Sequence, residues 1–197
     1  MKVEQIDRIV KSAFSSAWEN RSRINDNRRR SAHFVFKLAE KISEVTPGEA
    51  LVQKVDDCGR KSPGEWLFDI TIVSKRAVTI GCRNRSSEIV DKIFWVVESE
   101  FSTNLNEFCK DFAKLIHVKS ENYLYVAGLN QENEEARVKY IEAQAQLAKS
   151  LVKNHCIEDP FFIAFVPTPG KTENYESLWD GCDKSELLNW LHVTKLF

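Results

Sequence analysis

The sequence predicts an α/β protein: a mixed central β-sheet flanked by helices on both faces. Helical stripes open the chain, strand patterns follow one another directly between about residues 50 and 101, and helix and strand patterns alternate after that. With 197 residues, 43% of them apolar, and only 7 Gly and 5 Pro, the chain can bury one core as a single domain over 1–197. Its 28 Lys and Arg nearly balance its 29 Asp and Glu, so any binding of a polyanion has to come from a local patch.

Taken in order, residues 2 to 20 place Val3, Ile6, Ile9, Val10, Ala13, Phe14 and Trp18 at steps of three and four, which predicts a helix. The polar run RSRINDNRRRSAH follows, with Arg21, Arg23, Arg28, Arg29 and Arg30. It reads either as a phosphate-contacting patch or as a solvated connection between helices, the commoner arrangement. A second helix runs through Phe34, Val35, Leu38, Ile42 and Val45 and stops at Thr46, Pro47 and Gly48.

GEWLFDITIV predicts a strand with Trp66, Phe68, Ile70 and Ile72 on one face and Leu67, Asp69, Thr71 and Val73 on the other. AVTIGC reads as a further strand, and SSEIVDKI as a short helix opened by a serine cap. IFWVVESEF is a strong strand whose alternation puts Glu98 and Glu100 on one face. Beyond it, residues 102 to 117 form a helix with Leu105, Phe108, Phe112, Leu115 and Ile116 inward. ENYLYVAGL gives a strand, 132 to 153 a long helix, FFIAFVP a strand, and the tail a last helix beginning near Asp183 or Ser185.

No stretch reaches the roughly 18 apolar residues of a membrane span, and the charged, periodic N-terminus reads as a helix rather than a signal peptide. Cys58, Cys82, Cys109, Cys156 and Cys182 are odd in number and lack Cys-x-x-Cys spacing, which argues against disulfides and structural zinc and for a reducing cytoplasm. Cys109 and Cys156, in helical segments, read as buried thiols. His33, His117, His155 and His192 show no metal-ligand spacing. Tyr123 and Tyr125 read as sheet packing before base stacking, and Trp179 and Trp190 as core before partner interface.

The chemistry lies in the strand acids. Asp69, Glu98 and Glu100 fall where the pattern predicts half-buried or buried positions, and a carboxylate withdrawn from water needs a partner. Oxygen ligands on neighbouring strands suit Mg²⁺ or Mn²⁺ and metal-dependent phosphodiester hydrolysis. The bland alternative is a set of charges at solvated strand ends or on an edge strand.

At these residues the chain resembles the PD-(D/E)XK nuclease superfamily, whose motif is an acid on one strand and acid-x-Lys on the next. Asp69 matches the first acid and Glu98 the second; Glu100 stands where the lysine belongs. The resemblance implies a restriction-endonuclease-like core over about 31–167, ordered helix, three strands, helix, strand, with helical additions at about 2–20 and 176–195. It also implies a metal held by Asp69, Glu98 and Glu100, a nucleic-acid substrate with DNA favoured, and a lysine from the following helix, Lys114 first and Lys110 second. Helix geometry turns Lys114 away from the Phe108, Phe112 and Leu115 stripe. A glutamate on the first core helix is implied as well, with Glu40 and Glu44 available.

The rival expectation is a non-catalytic interaction or regulatory protein on the same scaffold, associating through its amphipathic terminal helices, with a homodimer left open. A basic rim around the acids from Lys75, Arg76, Arg83 and Arg85 would favour the nuclease.

Overall fold

The computed structural model describes residues 1–53, 67–80 and 85–197. Helix α1 (Val3–Glu19) and, after a single 3-10 turn (Arg21–Arg23), helix α2 (Asn27–Ser43) lead into strands β1 (Glu49–Val52), β2 (Ile70–Ile80) and β3 (Arg85–Glu100). Helix α3 (Leu105–Ile116), strand β4 (Tyr123–Leu129), helix α4 (Glu134–Asn154) and strand β5 (Phe161–Pro167) alternate as expected. A short α5 (Leu178–Gly181), α6 (Lys184–Trp190) and strand β6 (His192–Lys195) finish the chain. The six strands lie in sequence order, β1-β2-β3-β4-β5-β6. β1, β2 and β3 run antiparallel, β4 and β5 run parallel to β3, and β6 is antiparallel to β5. The sheet is therefore mixed, as the sequence predicts.

Both faces are covered. On one, Ile6, Val10 and Phe14 of α1 and Phe34 and Leu38 of α2 pack against Ile72, Trp95, Val97, Leu124 and Phe162. On the other, Phe108, Phe112 and Leu115 of α3 and Ala148 and Val152 of α4 pack against Val96, Tyr125, Phe161 and Ile163. β4 and β5 are buried along their whole length, which explains their unbroken apolar runs. The helices begin where side-chain caps permit: Asp26 accepts from the Arg29 amide, Asn104 from Asn106, and Asn133 from Glu135 and Ala136. No helix among the described residues is long and apolar enough to cross a membrane.

Several expectations are corrected. SSEIVDKI is strand, not helix: it pairs with β2 from Lys75↔Val90 to Ile80↔Arg85, and AVTI continues β2 rather than forming a strand of its own. This two-stranded extension is exposed on both faces, so no buried period marks it in the sequence. The expected helical tail contains β6, where Val193 and Thr194 favour an extended backbone beside Ala164 and Ile163. The strand expected through GEWLFD begins only at Ile70. Residues 67–69 are bends, Phe68 packs on the α3 side while Ile70 packs on the α1 side, and Trp66 lies outside the described residues.

Cys109 and Cys156 are exposed, not buried: Cys109 follows inward-facing Phe108, and Cys156 takes a φ of 53° in the turn after α4. Trp179 is core, edge-on to Phe14 at 5.2 Å. Ile6, Val10, Ala13 and Phe14 of α1 and Leu187 of α6 pack inside the protein, while Val3, Ile9, Trp18, Leu188 and Trp190 are only partly buried.

Arg30 settles part of the arginine question. It is neither in a solvated connection nor in a surface patch, but 5% exposed and clamped by hydrogen bonds to the Ile24 and Arg21 carbonyls, Ser177 and Asp180. Arg21 lies flat on Trp18, 3.2 Å from the ring centre, and donates to the Trp179 carbonyl.

Candidate functional site

The sequence-predicted acids meet at one end of the sheet. Ile70 pairs with Val97, so Asp69, the last residue before β2, stands beside Glu98 near the C-terminal end of β3. Pleating turns Glu98 to the α3 face, where its registered neighbour is Tyr125 and its exposure falls to 2%. Asp69 turns to Ser99, while its charge still acts on Glu98. Its Oδ2 accepts from the Ser99 amide at 2.8 Å and from the Ser99 hydroxyl at 2.6 Å.

Lys114 answers the sequence's main uncertainty. Its position on α3 does point off the apolar stripe, yet its long stem carries Nζ back to 3.2 Å from Glu98 Oε2 while the side chain stays 47% exposed. Asp111, one turn earlier, holds the same ammonium at 2.8 Å. Lys110, the second candidate, pairs instead with Glu107 on the surface.

The electrostatics follow from burial. Loss of hydration pushes the Glu98 carboxyl up to about 8; the charge of Asp69 pushes the same way, and Lys114 only partly offsets them. For Lys114, partial burial works against the charge, but the hydrogen bond to Asp111 and the charge of Glu98 overcome it and raise its proton affinity above that of an ordinary lysine. Lys114 is therefore a fixed cation at neutral pH, not a base. Burial, then the charges of Asp111 and Glu100, raises the Tyr125 hydroxyl, and burial lifts Tyr140 to about 12.

Two buried atoms here have no partner among the described residues: Glu98 Oε1 and the Tyr125 hydroxyl. An orphaned hydroxyl costs desolvation without a compensating bond. Tyr125→Phe should therefore leave stability unchanged or raise it by up to about 1 kcal/mol in urea unfolding. A loss larger than about 1 kcal/mol would mean that the hydroxyl is bonded in solution.

Beside this buried group lies an open cleft of about 380 Å³, walled by Arg28, Ser31, Ala32 and Val35 of α2 and by Gln53, Asp69, Ser99, Glu100 and Phe101. Glu100 lines it while its Oε1 accepts from the Ser102 amide at 2.6 Å. The structure thus joins Glu98 to Lys114 and sets Asp69 and Glu100 in the cleft. Among the described residues no three His, Cys, Asp or Glu side chains converge as a ready metal cage. Glu40 and Glu44 pair with Lys37 and Lys41 along α2 and take no part.

The two members of the expected basic rim whose side chains are described, Lys75 and Arg76, are not at the acids. Lys75 and Arg76 sit on the two-stranded extension at the other end of β3, paired with Glu49 and Asp91, while Arg83 and the Arg85 side chain lie outside the described residues. Sequence reasoning missed Ser99 and Asp111. Of these only Asp111 leaves a signal, its i,i+3 spacing to Lys114. His117 and His155 meet edge to face at 5.3 Å, away from the acids and without a third ligand among the described residues. Tyr123 is tied into the core, its hydroxyl donating to the Val118 carbonyl and accepting from the Ser120 amide. No family model matches the chain, nor does any curated protein or solved structure.

Proposed function

We propose that the chain is a Mg²⁺- or Mn²⁺-dependent nuclease-like protein of the PD-(D/E)XK type, hydrolysing phosphodiester bonds of nucleic acid, with DNA favoured. The observation that carries this reading is the contact of Lys114 Nζ with Glu98 Oε2: a helix lysine stands beside the second strand acid, where the strand itself offers Glu100. The order helix, three strands, helix, strand in α2 through β4 supports it, as does the register that sets Asp69 next to Glu98.

The donor chemistry fits a hard divalent cation. Glu98 brings a buried oxygen without a partner among the described residues, and Asp69 and Glu100 are among the residues that line the open cleft. Asp69 and Glu98 would hold the ion, with Glu100 assisting directly or through water, and the ion would polarise a phosphoryl oxygen and acidify a bound water. The chain's own contribution is electrostatic. Lys114, kept protonated by Asp111 and Glu98, neutralises charge that develops on the phosphate or orients the attacking water, while Ser99 fixes Asp69. Exposed Cys109 and Cys156 and half-buried Cys182, all free, suit a reducing cytoplasm.

One observation favours the second reading, a non-catalytic interaction protein on this scaffold: Asp69 Oδ2 already takes two hydrogen bonds from Ser99, so the acids can serve as internal ties. Calorimetric titration of Mn²⁺ into the wild type and Glu98→Gln separates the two. Binding to the wild type that vanishes in the variant is the expected result. Absence of binding to both overturns the nuclease reading in favour of the second.

A further inference from the structure

Arg28, Ala32 and Val35 recur on α2 at helical spacing and form one wall of the cleft that holds Asp69. Arg28 stands at the N-terminal end of that wall, Arg29 is next to it on the helix and Arg23 precedes the helix, all three exposed. None makes an ion pair among the described residues. The cations further along the same helix do: Lys37 with Glu40 and Lys41 with Glu44. The nearby Asp180 is taken up by Arg30 and Arg21, and Asp26 accepts from the Arg29 amide to cap the helix. In a chain of net charge −1, Arg28 thus brings to the wall of this cleft a guanidinium that no acid among the described residues neutralises, with exposed Arg29 beside it in the sequence.

The cleft itself is small. Its volume of about 380 Å³ is that of a small-ligand pocket, and its walls pair apolar Val35 and Phe101 with polar Ser31, Gln53 and Ser99. Such a space takes one nucleotide, its base against the apolar wall and its phosphate toward Arg28, and a base still stacked in a double helix would have to be extruded to enter it.

Resting on the nuclease reading above, we infer that the site acts on single-stranded or extruded nucleic acid, whose backbone is received at the cleft mouth by Arg28 with Arg29. Arginine suits this role because its fork meets two phosphate oxygens at once. Acidic Asp69 and Glu100 within the cleft repel phosphate, so the strand is held from the arginine end.

The test is fluorescence anisotropy with a labelled single-stranded oligonucleotide and a duplex of the same sequence, in EDTA, over a salt series. Proteins are the wild type, Arg28→Ala/Arg29→Ala, and Lys139→Ala, a control on an exposed lysine of α4. The single strand is expected to bind more tightly than the duplex. The double variant should lose on the order of tenfold in affinity at low salt and about 1.4 from the log–log salt slope, since each single-strand phosphate contact contributes about 0.7. The control should match the wild type.

Duplex binding as tight as single-strand binding, unchanged affinity in the double variant, or no binding of either oligonucleotide overturns the inference. The Mn²⁺ titration of the double variant keeps the two readings apart. Retained Mn²⁺ binding with no oligonucleotide effect removes only the strand-binding role, and oligonucleotide binding without any Mn²⁺ site removes the catalytic reading.

Discussion

Arg30→Met should destabilise the protein by about 3 to 5 kcal/mol, measured as a shift in urea midpoint at unchanged m-value. The side chain is 5% exposed and spends its donors on four partners: the Ile24 carbonyl at 2.7 Å, Ser177 Oγ at 2.8 Å, Asp180 Oδ2 at 2.6 Å and the Arg21 carbonyl at 3.0 Å. These lie on the turn before α2 and at α5, Ser177 as its cap and Asp180 within it, so one guanidinium ties the start of α2 to the tail. Methionine fills the volume but leaves the carbonyls and Ser177 without a donor in a buried place.

Two companions isolate the cause. Asp180 is 51% exposed, so Asp180→Asn should cost no more than about 1 kcal/mol, because water replaces what the carboxylate loses. Arg30→Lys keeps the charge but not the planar fork, so it should recover only a minor part of the loss. A destabilisation by Arg30→Met below about 1 kcal/mol would show that the clamp is replaced by water.

This clamp also shows where reading the sequence succeeds and fails. Five arginines in one polar run look alike in a one-dimensional pattern. Yet Arg30 is buried, Arg21 stacks on Trp18, and Arg28 faces the cleft, each set by segments about 150 residues away or by the helix turn it occupies. Elements with strong internal periodicity are legible, as in α1, α3, α4, β4 and β5. The exposed β2–β3 extension and β6 are not, because their conformation comes from cross-strand partners rather than from a buried period.

The candidate site is legible in the same measure. Alternation along IFWVVESE groups Glu98 with Val96, which packs on the α3 side, but it fails at Ile93 and Phe94, where the β2–β3 register shifts and the two residues exchange faces. The position of Asp69 does not follow, because the chain bends at residues 67–69 and the strand period does not reach it. Lys114 was visible as a residue and invisible as a contact: its Cα direction points off the core, and only the length of its stem brings the charge home.

Glu98 makes the second large effect one of pH. Burial and the charge of Asp69 outweigh Lys114 and push the Glu98 carboxyl in the folded chain up to about 8, from an ordinary value of 4.5. Between those values the folded protein holds a proton that the unfolded chain has released. Folding stability is therefore fully supported by this group below pH 4.5 and falls as pH rises toward 8. The slope is at most about 1.4 kcal/mol per pH unit, and water at the exposed end of Lys114 brings the total to about 2 to 4 kcal/mol. Glutamine mimics the neutral acid and does not titrate. In EDTA, Glu98→Gln should match the wild type near pH 5 and exceed its stability by that amount at pH 8, with the contributions of other titrating groups cancelling in the difference. Urea unfolding of both proteins at several pH values checks this. Parallel stability curves would mean that Glu98 is ionised throughout, held by its contact with Lys114 more strongly than burial opposes it.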